Sequence, residues 1–570
     1  MPIPSRLTER VRKLLAQESG TIYKKRDGRI AFALAFPNTY ALGMSSLGFQ
    51  LVYGMLNAIP DVVCERVFLP ESDILRQMLR SRTPLFSLES QTPVSQFDVL
   101  GFSISFEMDY INVPRMLQLS GLPLYTSERD ESHPLIIAGG PCATFNPEPL
   151  AEFIDAFLIG EAEDAIPEIV DALRLVGPIS RLDLLRELTK VAGVYVPRFY
   201  LHKYGQSGLI EGLEITDGAP ERVGRRVTRD LDAHDATSVV LTPNTEFADL
   251  ALAEAIRGCG RKCRFCAAGY MGLPPRPRTV QTEGETRIGL VGSAVFDHPG
   301  AAAICEAITD AGREFSVSSI RIESLTDELA EMMRRGGQET ITLAPEAGTE
   351  MMRTAINKPI SDDDIADAVR IASSAGFRRA RLYFMVGLPM ETDEDVAAIG
   401  ALASRIAAEF PPMTLQLSVS CFVPKPWTPF QWVPMASERE LSAKLAVLRK
   451  SLAGNRGIRL NAESPRLSVV QGWLARGDRR LAPALLAAVA PSPYGGGLGR
   501  GAGYAKGIAE AGLNPDFYAR RERDFNEILP WDHIDLGVTK DFLRREYAKA
   551  LQGKPTPQCA VGTCRLCGVC

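Results

Sequence analysis

The sequence predicts an α/β fold with two parallel sheets, followed by a mainly helical region. Two stretches, about 29–175 and about 240–435, alternate short apolar runs with helical segments, which is typical of parallel strands covered by helices. The chain has 570 residues, of which 45% are hydrophobic, so it is long enough for several cores. The expected domains are 1–180, a linker with a small hairpin at 181–240, a second sheet domain at 241–435, and a helical region at 436–570.

The first domain is predicted to be a doubly wound parallel sheet. Its apolar runs end in turn-forming or small polar residues, and they lie at 29–36, 98–105, 134–138 and 156–159. Ligands of such sheets bind beyond the carboxyl ends of the strands. Residues found there, and therefore candidates for ligand binding, are Ser103, Gly139, Gly140 and Glu161.

The second domain is predicted to be a partial TIM-type barrel of six β/α units. One strand precedes residue 259, and the other five are signalled at 287–291, 315–320, 340–343, 381–386 and 414–419. Thr326, Ser361 and Thr392 are placed to cap helices that follow these strands. Sites in such barrels lie at the carboxyl ends of the strands.

Three closely spaced cysteines follow the first strand of this barrel. Cys259, Cys263 and Cys266 form a C-x3-C-x2-C pattern on a glycine-containing loop. Three such thiolates can hold three corners of a cubane iron–sulfur cluster and leave the fourth iron open. Zinc would need a fourth ligand, and no Cys or His follows nearby. The alternative interpretation is three buried structural cysteines.

This spacing resembles the radical S-adenosylmethionine (SAM) superfamily, in which the open iron binds SAM and reductive cleavage gives a 5′-deoxyadenosyl radical. The resemblance implies a 4Fe–4S cluster on Cys259, Cys263 and Cys266. It also implies SAM contacts at Phe265, Gly292, Ser293, Glu346, Gly387 and Glu391. For the two glutamates, compensation of charge at a helix N-terminus is the alternative.

The first domain resembles the flavodoxin- or Rossmann-like cobalamin-binding domain that precedes the barrel in one large subgroup. The resemblance makes Ser103, Gly139, Gly140 and Glu161 candidate cobalamin contacts. The usual Asp-x-His-x-x-Gly loop is missing, because the first strand runs into Phe-Pro-Asn-Thr-Tyr-Ala-Leu-Gly-Met at 36–44. Either cobalamin binds without a protein histidine, or the sheet binds substrate or nothing.

The chain ends in a second group of cysteines, with the pattern C-x4-C-x2-C-x2-C. These are Cys559, Cys564, Cys567 and Cys570. Four thiolates in one short segment can hold a second iron–sulfur cluster or a structural zinc ion. Disulfides are not expected, because no export signal precedes the chain and a reducing cytoplasm is the predicted compartment.

Charge and hydropathy restrict the partners. A net charge of −5 opposes extended non-specific binding to nucleic acid, and no apolar run is long enough to span a membrane. Basic residues nevertheless surround the three-cysteine loop: Arg257, Arg261, Lys262, Arg264, Arg276 and Arg278. They can receive an acidic flavodoxin- or ferredoxin-type electron donor or the phosphates of an RNA. The alternative is that they offset the charge of a ligated cluster.

Nearly the whole chain resembles a group of uncharacterised radical SAM proteins with a cobalamin-binding-like domain and a cysteine-rich C-terminus. The resemblance is carried by the end of the chain and by 40–49, 343–349, 424–430 and 530–535. It implies a radical-SAM-linked partner protein and modification of an unactivated C–H position, by methyl or other group transfer, on an unknown substrate such as RNA or a ribosomal protein. The alternatives are an oxidoreductase or cyclase acting on a pigment-like substrate, and a non-catalytic iron–sulfur electron relay.

Overall fold

The computed structural model describes residues 3–174, 180–248, 250–281, 287–411, 413–455, 457–489 and 502–569. The chain divides into two compact units. The first unit comprises Met1–Asp249, Trp473–Tyr518 and Asn526–Leu536, and the second comprises Leu250–Gly472, Ala519–Phe525 and Gly537–Cys570. The predicted C-terminal region, 436–570, is therefore distributed between both units.

The first unit contains the doubly wound sheet that the sequence predicts. Its strands are β1 (Ile30–Phe36), β2 (Val62–Phe68), β3 (Val99–Ser103), β4 (Leu135–Gly139), β5 (Ala156–Leu158) and β6 (Val194–Tyr195). They follow the order β2-β1-β3-β4-β5-β6, and all but β6 are parallel. This is the flavodoxin-like order, whose topological switch point lies between β1 and β3.

Smaller elements complete the first unit. A hairpin is formed by β7 (Tyr200–Tyr204) and β8 (Ile210–Ile215), and β9 (Val223–Gly224) pairs with β18 (Ile534–Asp535). The helices are α1 (Ser5–Leu15), α2 (Tyr40–Met44), α3 (Leu47–Ala58), α4 (Ser72–Ser81), α5 (Asn112–Ser120), α6 (Pro141–Phe145), α7 (Ala165–Arg174), α8 (Arg181–Leu188), α17 (Ala482–Val489) and α18 (Ala502–Glu510).

The second unit contains the partial barrel. Its strands are β10 (Ala251–Arg257), β11 (Arg276–Pro277), β12 (Arg287–Gly292), β13 (Glu314–Val317), β14 (Thr340–Glu346), β15 (Arg379–Val386), β16 (Thr414–Cys421) and β17 (Ile458–Ala462). They form two sheets, β11-β10-β12-β13 and β14-β15-β16-β17, which a parallel bridge between Ile320 and Leu343 connects. The six predicted β/α strands are present and β17 adds a seventh parallel strand, but the described strands do not close into a barrel.

The helices of the second unit begin where the sequence places their caps. Thr326, Ser361 and Thr392 accept hydrogen bonds from backbone N–H groups of the first turns of α11, α13 and α14. The helices are α9 (Ala268–Met271), α10 (Ala301–Asp310), α11 (Asp327–Arg335), α12 (Glu350–Ala355), α13 (Asp362–Ser374), α14 (Asp393–Glu409), α15 (Glu438–Ser451) and α20 (Lys540–Leu551). The unit boundaries fall within α16 (Pro465–Arg476) and α19 (Pro515–Ala519).

Within the described residues, no helix combines the length and the apolarity that a bilayer crossing requires.

A buried carboxylate joins the three segments of the first unit. Arg479 donates to Glu148 through Nε, at 2.8 Å, and through Nη2, at 3.2 Å, and the Tyr195 hydroxyl donates to the same carboxylate. Nδ1 of His202 and Nε2 of His533 lie 3.5 and 3.6 Å from its two oxygens. Arg479 belongs to the second segment of the unit and His533 to the third, so this carboxylate holds all three together.

The charges of this group follow from its burial. Burial lowers the pKa of both histidines, for His533 to about 3, so the imidazoles are neutral at pH 7. Burial also opposes ionisation of Glu148, but the positive charge of Arg479 outweighs it and the pKa of this carboxyl falls to about 2. The group is therefore a buried Glu–Arg ion pair with two neutral rings.

Glu148→Gln should destabilise the first unit by about 3 kcal/mol, because the Arg479 charge would remain buried without its partner. Glu214→Gln is the matched control: it breaks an exposed pair with Lys203 and should cost less than about 1 kcal/mol. Urea titration followed by hydrogen exchange measures the free energy of unfolding of both variants. The double variant Glu148→Gln/Arg479→Met should recover part of the lost stability. Equal losses of stability for Glu148→Gln and Glu214→Gln would contradict the prediction.

Candidate functional site

The three-cysteine loop follows β10 directly, at the carboxyl edge of the barrel. Gly258 adopts a φ of +83°, and a Cβ there would lie 1.9 Å from the carbonyl oxygen of Gly272. Only glycine fits this approach. The loop then turns back on itself, and the N–H of Cys266 donates to the carbonyl of Cys263 at 3.1 Å. The structure thus brings all three predicted cysteines to the edge where barrel sites form.

Burial and charge set the state of these thiols. Burial raises the pKa of Cys259, Cys263 and Cys266, for Cys263 to about 12. The ammonium group of Lys358 acts in the opposite direction on Cys259 and Cys263. Without a further positive charge the thiols remain protonated at pH 7, so this loop requires a metal to become a set of thiolates.

The number of thiols on this loop fits a cluster with one open iron better than a single zinc ion, which takes four protein ligands in a structural site. Ligands of one tetrahedral zinc ion lie about 4 Å apart, because each Zn–S bond is about 2.3 Å long. Among the described residues, one group has three donor atoms all within 4.8 Å of one another: Glu148, His202 and His533. The donors of the Glu148 group are already neutralised by Arg479, so we assign no metal there.

A buried guanidinium fixes the loop to the rest of the second unit. Arg264 is fully buried, and its N–H groups donate to the carbonyls of Ala355 and Lys554, both at 2.7 Å. It also pairs with Glu546 at 3.1 Å. Its backbone N–H donates to Ile356 at 3.0 Å. Four contacts from two other segments therefore hold Arg264, which lies between Cys263 and Cys266, in one position.

Phe265 anchors the same loop through apolar packing. It lies against a buried cluster that includes Met352, Ile356, Met385 and Phe422. This contact explains the aromatic residue before the last cysteine by packing. Its predicted contact with SAM stays a prediction.

Glu346 stands at the end of β14 in a strained backbone conformation, with a φ of +73°. Its Oε1 accepts from Nζ of Lys358 at 3.0 Å. Burial lowers the pKa of Lys358, but the negative charge of Glu346 outweighs this and raises it. The sequence did not single out Lys358, because its partners lie on the loop and strand that the fold brings beside it.

The predicted SAM residues of β12 lie at the same edge. Gly292 is the last residue of β12, and a Cβ there would lie 2.6 Å from Cγ2 of Ile256 on β10. Close packing of the two strands therefore requires this glycine. Ser293 follows it and is exposed. Both residues are placed where a ligand of the barrel edge would pass.

Glu391 closes the turn after β15. It accepts from the N–H of Gly387 at 2.7 Å and pairs with Lys444 at 3.1 Å. Gly387 itself has a φ of +84°. Burial raises the pKa of Glu391 to about 7, although the Gly387 N–H and Lys444 both oppose this. Its side chain is thus engaged within the turn, and a direct role in SAM binding stays a prediction.

The basic residues around the loop do not form an exposed surface. Lys262, Arg264 and Arg278 are buried, because the second unit supplies acids and carbonyls to them. Glu254 pairs with Arg278 at 2.7 Å, and it also pairs with Arg257. Arg261 pairs with Asp297 at 3.2 Å.

The carboxyl edge of the first unit has a second unusual group, at the switch point between β1 and β3. The side-chain amide of Asn38 donates to Asp109 at 2.7 Å, and burial raises the pKa of Asp109 to about 7. Leu42, in α2 after β1, and Phe106, in the loop after β3, are 42% and 46% exposed. The edge therefore combines a buried carboxyl with exposed apolar surface.

The predicted cobalamin contacts lie along this edge with different surroundings. Ser103 and Gly139 are the half-buried last residues of β3 and β4. Gly140 has a φ of +102°, and a Cβ there would lie 2.7 Å from the Ile104 carbonyl oxygen. Glu161 accepts from the N–H of Thr228 at 2.7 Å, so the chain itself occupies one of its oxygens.

Two family models match the two units. Residues 48–197 match the model of radical SAM proteins, N-terminal, and residues 254–403 match the model of the radical SAM superfamily. An uncharacterised protein of Methanocaldococcus jannaschii is 28% identical over 465 residues, which cover 79% of this chain and 89% of that protein. An uncharacterised methyltransferase of Pyrococcus horikoshii is 25% identical over 301 residues, which cover 49% of this chain and 60% of that protein.

One solved structure with a similar fold is the radical SAM methyltransferase TsrM from Kitasatospora setae, with cobalamin and a 4Fe–4S cluster bound. It is 12% identical, and the match covers 85% of this chain and 100% of that chain with a TM-score of 0.47.

Glu391→Gln should flatten the dependence of stability on pH between about 4.5 and 7. The folded chain keeps this carboxyl protonated up to a pH of about 7, whereas the unfolded chain releases the proton near 4.5. The Glu391 carboxyl should therefore make the stability of the wild type fall across this range by up to about 3 kcal/mol, and the variant should lack this contribution. Glu394→Gln, at an exposed position in the first turn of α14, is the control. Urea titration at several pH values measures the difference, and parallel curves for wild type and Glu391→Gln would refute the prediction.

Proposed function

Because residues 48–197 and 254–403 are the N-terminal and core domains of a radical SAM enzyme, we propose that this chain modifies an unactivated C–H position of a polar substrate. The observation that carries the proposal is the three-thiol loop at the carboxyl edge of an open barrel. Superfamily members use a 4Fe–4S cluster and SAM, and Cys259, Cys263 and Cys266 would hold the cluster here. When bound, the cluster supplies the electron that cleaves SAM into methionine and a 5′-deoxyadenosyl radical.

One face of the second barrel sheet supports the proposal of a polar substrate. The register aligns Thr342, Arg381 and Gln416 in one row, and Tyr383, Ser418 and Asn461 in the next. Residues that alternate with them on β15 and β16 are buried. The barrel interior is therefore lined by hydroxyl, amide and guanidinium groups, whereas the helix-covered face is apolar.

Arg381 and Tyr383 are the side chains of this face that are best placed to bind substrate. Tyr383 is 37% exposed. The Nε of Arg381 is buried and has no hydrogen-bond partner among the described residues. An anionic group of the substrate, such as a carboxylate or phosphate, would satisfy it.

The edge residues have positioning roles in this proposal. Arg264 and Phe265 hold the cysteine loop, so that the three thiols keep their separation. Lys358 places a positive charge beside the thiols and is itself held by Glu346. A reduced flavodoxin- or ferredoxin-type protein would supply the electron. A radical-SAM-linked protein would act as partner, and an RNA or a ribosomal protein as substrate.

Anaerobically reconstituted wild type should form 5′-deoxyadenosine from SAM in the presence of a strong reductant. The Cys259→Ala/Cys263→Ala/Cys266→Ala variant should lose this product by at least about a hundredfold, because no ligands remain for the cluster. Mass spectrometry quantifies the product. Cys305→Ala, which removes a buried thiol of α10 away from the loop, should retain it. SAM cleavage that persists in the triple variant would rule out the proposed site.

A second candidate, cobalamin-dependent group transfer, is supported by the edge of the first unit. Ligands of doubly wound sheets bind at the switch point, where Leu42 and Phe106 are exposed. All five histidines lie outside the loops after β1, β3, β4 and β5. Cobalamin would therefore be held there by apolar and backbone contacts, without a histidine ligand to cobalt.

Cob(II)alamin bound to the full chain should show an electron paramagnetic resonance spectrum without splitting from a protein nitrogen. Phe106→Asp should weaken its binding about tenfold, which corresponds to about 1.4 kcal/mol of lost apolar contact. Leu201→Asp, at another exposed apolar position of the first unit, is the control and should bind normally. Equal affinities for Phe106→Asp and wild type, or nitrogen splitting, would contradict this candidate.

A further inference from the structure

The cysteine-rich end of the chain packs directly on the three-cysteine loop. The N–H of Cys559 donates to the carbonyl of Gly260 at 2.7 Å. A Cβ on Gly260 would lie 3.2 Å from the Cβ of Cys559. Gly260 is the neighbour of Cys259 in the chain, so a thiol of each cysteine group lies beside one shared peptide. Both cysteine groups belong to the second unit.

The sulfur of Cys564 has the surroundings of a metal-bound thiolate. The N–H of Leu566 donates to this sulfur, and Nζ of Lys262 lies 3.6 Å from it. Lys262 is fully buried, and the carbonyl of Pro557, at 3.3 Å, is its other acceptor. A buried ammonium group requires a nearby negative charge, which a ligated thiolate would provide. An N–H group two residues after a cysteine, directed at its sulfur, fits a C-x2-C metal loop.

Backbone hydrogen bonds hold the cysteine-rich segment on either side of Cys564. The N–H of Thr556 donates to the side chain of Asn357 at 2.7 Å, and Asn357 in turn donates to the carbonyls of Arg261 and Lys262. Cys567 is buried, and its carbonyl accepts from the N–H of Thr539 at 2.9 Å, where α20 begins. The segment is therefore anchored on both sides of Cys564.

We propose that Cys559, Cys564 and Cys567 hold a second iron–sulfur cluster, which passes electrons to the cluster site on the neighbouring loop. Cys570, the predicted fourth ligand, lies outside the described residues. The side chains of Cys559 and Cys564 are hydrogen-bonded to each other, so two of the three proposed ligands already face one site. One electron would enter from a reduced flavodoxin- or ferredoxin-type donor and move to the first site, with no bond formed or broken. The electron-transfer role rests on the proposed function.

Metal content of three full-length proteins tests the second cluster independently of SAM cleavage. After anaerobic reconstitution and desalting, wild type should contain about eight iron and eight sulfide ions per chain. The Cys259→Ala/Cys263→Ala/Cys266→Ala variant and the Cys559→Ala/Cys564→Ala/Cys567→Ala variant should each contain about four. If the first of these variants holds about one zinc ion, or no metal, the second cluster is refuted, whether or not wild type cleaves SAM.

A charge variant keeps the test valid if the Cys559→Ala/Cys564→Ala/Cys567→Ala variant folds poorly. In the protein that lacks the first three cysteines, Lys262→Met removes the buried positive charge next to Cys564. The midpoint potential of the remaining cluster should become more negative, because reduction adds negative charge that Lys262 stabilises. Lys549→Met, in α20, where Lys549 is bonded to Glu546 and Thr556, is the control and should leave the potential unchanged. No shift with Lys262→Met would overturn the assignment to Cys564.

Electron paramagnetic resonance tests transfer between the two sites. In fully reduced wild type, the two paramagnetic centres should broaden each other, so its spectrum should differ from the sum of the spectra of the two triple variants. A spectrum equal to that sum would overturn the proposed electron transfer.

Discussion

The buried guanidinium of Arg264 is the constraint on which the candidate site depends. A charged group inside a protein must find acceptors for its N–H groups, or it costs several kcal/mol. Arg264 meets this requirement with carbonyls at the end of α12 and beyond α20, and with Glu546 on α20 itself. Since Arg264 lies between two of the three cysteines, the cysteine loop, the helix after β14 and the C-terminal segment must assemble together. The geometry of the thiols is thus set by a polar network that surrounds them.

In both units a buried Arg–Glu pair joins distant segments of the chain. Each has a largely buried Arg–Glu pair that joins segments far apart in the chain: Arg479 with Glu148 in the first unit, and Arg264 with Glu546 in the second. In both, the arginine also bonds to a second group, a tyrosine hydroxyl or backbone carbonyls. Such pairs contribute little net stability compared with apolar residues, but they tolerate few alternative arrangements. They therefore specify which distant segments meet.

Features with local causes could be predicted from the sequence. The cysteine spacing placed the loop at the correct edge, and Thr392 with Asp395 predicted the start of α14, because both signals lie within a few residues of each other. The contact of His533 with the Glu148 carboxylate, 385 positions earlier in the chain, has no local signal in the sequence. The paired state of Arg261 and Arg264 was likewise hidden, since Asp297 and Glu546 are 36 and 282 residues away. Sequence patterns report local geometry, and they do not report which distant charge will compensate a buried one.

The order in which the ribosome releases the chain gives the interleaving of the units a further consequence. Glu148 emerges long before Arg479 and His533, and until they arrive it lacks the cation that keeps it ionised inside the fold. The cysteine loop likewise emerges before Glu546 and Lys554. Neither unit can therefore finish folding during synthesis of its own first segment, in contrast to chains whose domains fold one after another. During translation the unfinished sheet and barrel would expose apolar surface, so we expect nascent chains of this protein to depend on chaperones.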